Sequence, residues 1–120
     1  MHLPEEAQLL RVFIGDADKY EGRPLFEAIV QEARKAGLAG ATVLRGVLGF
    51  GANSRVHTSK ILRLSQSLPV VVEIVDDTPK IDAFLPVLDQ MMGEGLVTLE
   101  RAQVIVYRHK LGSVDPPLGR

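Results

Sequence analysis

Residues 37–69, GLAGATVLRGVLGFGANSRVHTSKILRLSQSLP, decide how this chain reads. The stretch opens as a helix exit at Gly37 and continues as the apolar, partly β-branched run Ala41 to Leu48. It then breaks on Gly49-Phe50-Gly51 into a polar segment carrying Asn53, Ser54, Arg55, His57, Thr58, Ser59 and Lys60. A strand, a long loop and a return at Leu68-Pro69 are expected, with the rest of the chain serving as scaffold.

On the N-terminal side, Gln8 to Ile14 reads as a strand ended by Gly15-Asp16-Ala17-Asp18. Pro24 suits the first turn of a helix, and Phe26, Ile29, Val30 and Ala33 recur at helical spacing up to Gly37. On the C-terminal side, Leu68 to Val75 is a third β segment. Thr78 is placed to cap, and Pro79 to start, a second helix with the stripe Ile81, Phe84, Leu85, Leu88 and Met92. Pro86 inside that helix should bend or strain it by up to about 3 kcal/mol. Gly93 and Gly95 end it, and Leu99 to Tyr107 supplies the last strand. From Gly112 onward GSVDPPLGR is too rich in Pro and Gly to pack. One domain over residues 1–110 is expected, with a long loop at 49–67 and a flexible tail at 111–120.

The order βαββαβ is the ferredoxin-like α+β pattern, an antiparallel sheet with two helices on one face. Its third and fourth strands are apolar on both faces, at Val70, Val71, Val72, Ile74 and Val75 and again at Val104, Ile105 and Val106. A sheet with one wet face should alternate instead, so another copy of the same sheet is the simplest cover for the helix-free face. Taking the first and third strands as parallel neighbours puts Asp16 and Asp76 at one edge. The loop, Arg108 and Lys110 then lie at the other.

Composition limits the functions. Lys and Arg number 14 against 15 Asp and Glu in 120 residues, which gives no global electrostatic case for nucleic acid or an anionic membrane. There is no cysteine, hence no thiolate ligand or Cys nucleophile, and no apolar run of membrane-spanning length. A cytoplasmic protein is the expectation. His2, His57 and His109 with Asp16, Asp18, Asp76 and Asp77 lack metal-ligand spacing, so no metal site is assigned. Ser54, Thr58 and Ser59 near His57 do not amount to a nucleophile with its base, so no enzyme is expected. The Gly49-Phe50-Gly51 turn can aim backbone N–H groups at an anion, with Arg55, Lys60, Arg63, Arg108 and Lys110 to neutralise it.

Gly37 to Val43, Gly49-Phe50-Gly51, His57-Thr58, Leu68-Pro69 before the valine strand with Glu73-Ile74-Val75, and Ala102-Gln103-Val104-Ile105 together resemble the PII signal-transduction proteins. Through IGDADK, GLAGATVLRGVLGFG, HTSKILRLS and LPVVVEIVD the chain is more similar still to a PII-like family known only as a domain of unknown function. The resemblance implies a homotrimer with a ligand cleft between subunits, at the base of a mobile T-loop that docks on transporters, enzymes or regulators. It places Thr42, Gly49, Phe50, Gly51 and Arg108 in nucleotide contact, with Arg55 and Lys110 beside them, and Asn53, Ser54, Arg55, His57 and Lys60 on the partner-binding loop. Val70, Val106 and Gly93-Glu94-Gly95-Leu96 depart from the PII pattern, which has basic residues there. That loss disfavours ATP, because each charge-assisted bond to phosphate is worth about 1.5–3 kcal/mol. The expected effector is AMP, ADP or a cyclic nucleotide, and the expected partner a regulatory protein, membrane transporter or channel. The alternatives are a divalent-metal-binding trimer similar to cation-tolerance proteins, or a purely protein-binding subunit.

Overall fold

Along the chain run β1 (Glu6–Gly15), the short β2 (Lys19–Tyr20) and β3 (Arg23–Pro24), α1 (Leu25–Lys35), β4 (Thr42–Arg45), β5 (Pro69–Asp76), α2 (Thr78–Met91) and β6 (Leu96–Gln103). The structure, a computed structural model, describes residues 6–51 and 68–108. Four strands form one sheet in the order β4-β5-β1-β6, while β2 and β3 make a separate hairpin. The expected α+β sandwich is the one found.

Each helix follows from local chemistry. Asp77 caps α2 by accepting the Lys80 N–H at 2.9 Å. Thr78, expected to be the cap, instead lies inside the first turn and receives the Gln8 amide at 3.3 Å. α2 continues through Pro86 to Met91. Both Pro86 and Asp82, whose carbonyl loses its partner, lie on the exposed side, where water can replace the missing bond. α1 ends with Gly37 N–H donating to Arg34 and Leu38 N–H to Ala33, the paired bonds of a Schellman motif. Pro24 stands just before α1 rather than in its first turn, because it pairs with Lys19 across the β2–β3 hairpin. That hairpin was not expected. Its turn is Glu21-Gly22, both at positive φ as a two-residue hairpin turn requires.

The core lies between the helices and one face of the sheet. Leu10, Val12 and Ile14 of β1 and Val70, Val72 and Ile74 of β5 point into it, met by Leu25, Ala28, Ile29 and Ala33 of α1 and Ile81, Phe84, Leu88 and Met91 of α2. Met91 rather than Met92 completes the deepest stripe of α2. A fully buried Leu, Ile, Val or Phe contributes about 1.5–3 kcal/mol.

Two strands sit differently from expectation. β4 stops at Arg45, leaving Val47 and Leu48 exposed beyond it. β6 begins three residues early, so Val104, Ile105 and Val106 lie past its end and do not line the sheet.

The helix-free face is nonetheless rich in apolar side chains. Leu9, Phe13, Val71 and Val75 are half-buried on it, and Leu44 and Leu96 are exposed. At its centre Arg11 contacts Glu73 at 2.9 Å and Glu100 at 3.3 Å. The hydrogen bond to Glu73, with Glu100 adding its charge, raises the Arg11 pKa above its ordinary value.

The relation of the first and third long strands corrects the parallel arrangement taken from sequence. β1 and β5 are antiparallel, with Gln8 opposite Asp76 and Gly15 opposite Pro69. A helical crossover keeps β1 and β4 in one direction, and the turn-back into β5 reverses it. Asp16 and Asp76 therefore stand at opposite ends of the sheet.

Candidate functional site

The two arms of the 49–67 loop leave the sheet beside the end of β1. β4 delivers Arg45 and Gly46, and β5 begins at Pro69, with Leu68 just before it. Gly46 N–H donates to the Pro69 carbonyl at 2.7 Å, joining the outgoing and returning arms. A Cβ on Gly46 would stand 2.7 Å from Pro69 Cγ, and one on Gly49 would stand 3.0 Å away. Only glycine lets the outgoing arm pass this close to the proline ring.

Asp16 ties both arms to β1. Its N–H donates to the Leu68 carbonyl at 2.9 Å, and its Oδ1 accepts the Leu68 N–H at 3.0 Å. Its Oδ2 lies 3.6 Å from the Arg45 guanidinium. The turn that positions Asp16 is closed by Asp18, whose Oδ2 accepts the Gly15 N–H at 2.9 Å. The sequence reading puts Asp16 at the edge away from the loop and takes Arg45 as an edge or inter-subunit charge; the structure brings both to the loop base. Working through the strand directions would have found Asp16, since antiparallel β1 and β5 must bring Gly15 to Pro69. Asp76, at the far end, is 1% exposed and structural: Oδ2 accepts the Ala39 N–H at 2.8 Å and Oδ1 the Asp77 N–H at 2.7 Å.

Thr42, Gly49, Phe50 and Gly51 fall on this side of the molecule in part. Gly49 to Gly51 come after β4 and the intervening Gly46-Val47-Leu48, with Phe50 73% exposed, whereas Thr42 lies at the start of β4, opposite Glu73. Arg108 does not join them within one chain. β6 starts at the loop end, with Leu96 opposite Phe13, and runs to Gln103 opposite Glu6. Its seven steps cover about 23 Å at roughly 3.3 Å per residue, and Arg108 lies beyond that, contrary to the expected shared end. Arg55, Asn53, Ser54, His57, Lys60 and Lys110 lie outside the described residues, as do His2 and His109. Among the described residues no group of three His, Cys, Asp or Glu is placed to hold a metal ion.

At the β6 edge of the sheet, across β1 from the loop base, a groove of about 380 Å³ separates the end of α2 from the start of β6. Leu85, Leu88, Met92 and Val97 line it with the carboxylates of Asp89 and Glu94. It ends at Gly95, whose φ is +139° and where a Cβ would lie 2.7 Å from the Phe13 carbonyl oxygen. Two carboxylates beside a helix C-terminus repel phosphate, so this groove suits apolar or cationic groups.

Comparison with known proteins agrees with this geometry. Residues 7–104 match the family DUF190, described as "Uncharacterized ACR". A UPF0166 protein of Aquifex aeolicus (strain VF5) is 40% identical over 100 residues, which cover 82% of this chain and 92% of that protein. A UPF0166 protein of Methanocaldococcus jannaschii is 33% identical over the same shares. Among solved structures, CPII from Thiomonas intermedia K12 bound to ADP and bicarbonate superposes with a TM-score of 0.52 at 18% identity, covering 82% of this chain and 88% of that one. CPII bound to ADP, AMP and acetate gives a TM-score of 0.51 at 16% identity over the same shares. The likeness establishes a PII-like fold. Among the described residues, no helix is long and apolar enough to cross a membrane.

Proposed function

This chain belongs to the DUF190 (UPF0166) family, and from that premise we propose that it is a trimeric PII-like regulator rather than an enzyme. It binds a small anionic ligand between subunits, and its 49–67 loop signals that state to a partner protein. The observation that carries the reading is the loop base: the glycine turn is packed on Pro69, and both arms are fastened to the end of β1 through Asp16. A ligand bound there touches the root of the loop directly. To shift the loop it must favour one arrangement of that root over another.

The ligand class is an adenine nucleotide of modest charge, AMP or ADP, or a cyclic nucleotide. CPII, which shares the fold, has been solved with ADP and AMP. Gly93-Glu94-Gly95-Leu96, without the basic residues of the PII pattern, argues against a triphosphate. Because β6 carries Arg108 away from its own loop base, Arg108 reaches a ligand there only from a neighbouring copy. The apolar helix-free face is the surface through which copies meet. The partner is a regulatory protein or a membrane transporter or channel contacted by the loop.

Calorimetric titration of AMP, ADP and cyclic AMP into wild type and Arg108→Ala tests this. The proposal expects saturable binding of at least one nucleotide, weakened about tenfold or more by the substitution while the oligomer stays intact. Unchanged affinity removes Arg108 from the site; no nucleotide binding to wild type overturns the reading.

A further inference from the structure

The pair of charges at the loop base is more than a fastening. We propose that Arg45 is an anion-binding residue of this site and that Asp16 is its built-in competitor, so that ligand binding exchanges Arg45 from the carboxylate to the ligand. The inference rests on the anion-site reading above and assigns a ligand-linked role to two residues for which the resemblance implies none.

The chemistry favours exchange. Arg45 is the last residue of β4, four positions before Gly49, with its side chain 57% exposed. Its contact with Asp16 is one N–O approach of 3.6 Å, longer than a hydrogen-bonded ion pair and not the bidentate fork a guanidinium makes with a well-placed carboxylate or phosphate. An exposed pair of this kind is worth no more than about a fivefold factor in an equilibrium. A phosphate or carboxylate that presents two oxygens to Arg45 forms the stronger pair and displaces Asp16.

Asp16 is itself firmly placed. Two hydrogen bonds to Leu68 hold its backbone N–H and Oδ1, so its other oxygen stays where Arg45 left it. In the unliganded chain one residue therefore links the outgoing arm, through Arg45, to the returning arm, through Leu68. Once the ligand takes Arg45, Asp16 holds the returning arm alone. The two arms then stay joined by the Gly46–Pro69 bond and by the β4–β5 ladder that ends with Arg45 opposite Val70, but lose the charge link through Asp16. This is a differential contact between two states, which is what a ligand needs in order to shift a population. Other described cations are placed differently: Arg11 lies between Glu73 and Glu100, Arg23 beside Gln31 and Glu32, Lys35 by Glu32, Lys80 by the Gly37 carbonyl, and Arg101 by Glu6.

The test is a double-mutant cycle with AMP, ADP and inorganic phosphate as probes, titrated calorimetrically into wild type, Asp16→Asn, Arg45→Gln and the double variant. Asparagine keeps an acceptor oxygen for the Leu68 N–H, so the loop base remains tied; Arg45→Lys serves as the charge-conserving control. Removing the competitor should tighten binding up to about fivefold, and removing Arg45 should weaken it about tenfold or more, with Arg45→Lys recovering part of that loss. The gain from Asp16→Asn should vanish when Arg45 is already Gln. A gain that persists without Arg45 shows only relief of charge repulsion and overturns the proposal, as do variants that bind every probe as wild type does. If nucleotides bind without the predicted coupling, the nucleotide reading stands and this inference falls. If phosphate alone binds, with the coupling, the inference stands and the nucleotide reading falls. If no probe binds any variant, both fall.

Discussion

Replacing Asp76 with Ala probes the scaffold without touching the loop base, because the antiparallel register puts this carboxylate at the opposite end of the sheet. Its two oxygens accept the Ala39 and Asp77 N–H groups at 2.8 and 2.7 Å in a site where the residue is 1% exposed. Alanine leaves two part-buried donors without their acceptor, each costing up to about 1–3 kcal/mol, so the loss should be roughly 2–6 kcal/mol. For a domain of this size about 4 °C of Tm accompanies each kcal/mol, which sets the expected fall at about 8 °C or more. Asparagine retains one acceptor oxygen and turns an amide N–H₂ toward the other donor, so Asp76→Asn should lie between alanine and wild type. Thermal unfolding at fixed protein concentration, followed by far-UV circular dichroism, gives the readout. Nucleotide affinity of the folded fraction should not change. A Tm within about 2 °C of wild type for Asp76→Ala would refute the assignment of this buried carboxylate as the link between the α1–β4 and β5–α2 connections.

Gly95→Ala should lower stability by about 1–3 kcal/mol in the same assay, since φ is +139° and the new Cβ would meet the Phe13 carbonyl oxygen at 2.7 Å; a neutral effect would mean that the turn relaxes freely. Gly46→Ala should loosen the loop base through its 2.7 Å conflict with Pro69 and weaken nucleotide binding more than it lowers Tm, checked by paired calorimetry and melting. Val71→Asp places a charge amid Leu44, Phe13 and Leu96 on the helix-free face and should convert the proposed oligomer to monomers by sedimentation or light scattering. An unchanged oligomer would show that copies meet elsewhere.

The architecture was legible because its signals are local and repeated. Helical spacing from Phe26 to Ala33 and from Ile81 to Leu88, the αL stop at Gly37 and the valine run at 70–75 each point to one element and agree with one another. What escaped the sequence depended on relations between elements. Asp77 and Thr78 are both good cap residues, and only the backbone decides which one caps. The Val104-Ile105-Val106 run looks more like a strand than LVTLERAQ does, yet pairing with β1 draws in the latter because Leu96 and Val97 sit opposite Phe13 and Val12. The glycine turn could be nominated as a candidate from its residues alone. The roles of Asp16 and Arg45 could not, because they arise from a strand direction, and with that direction reversed Asp16 lands at the wrong end of the sheet.

Thermal unfolding of the purified chain with and without ADP and AMP tests the central claim most directly. A ligand present at about 100 times its dissociation constant stabilises the native state by roughly 2.7 kcal/mol, or about 10 °C in Tm at the same conversion. The account predicts a rise of that order with at least one of these nucleotides, cut to about half or less at the same ligand concentration in Arg108→Ala and in Arg45→Gln. A Tm that no adenine nucleotide moves would contradict it.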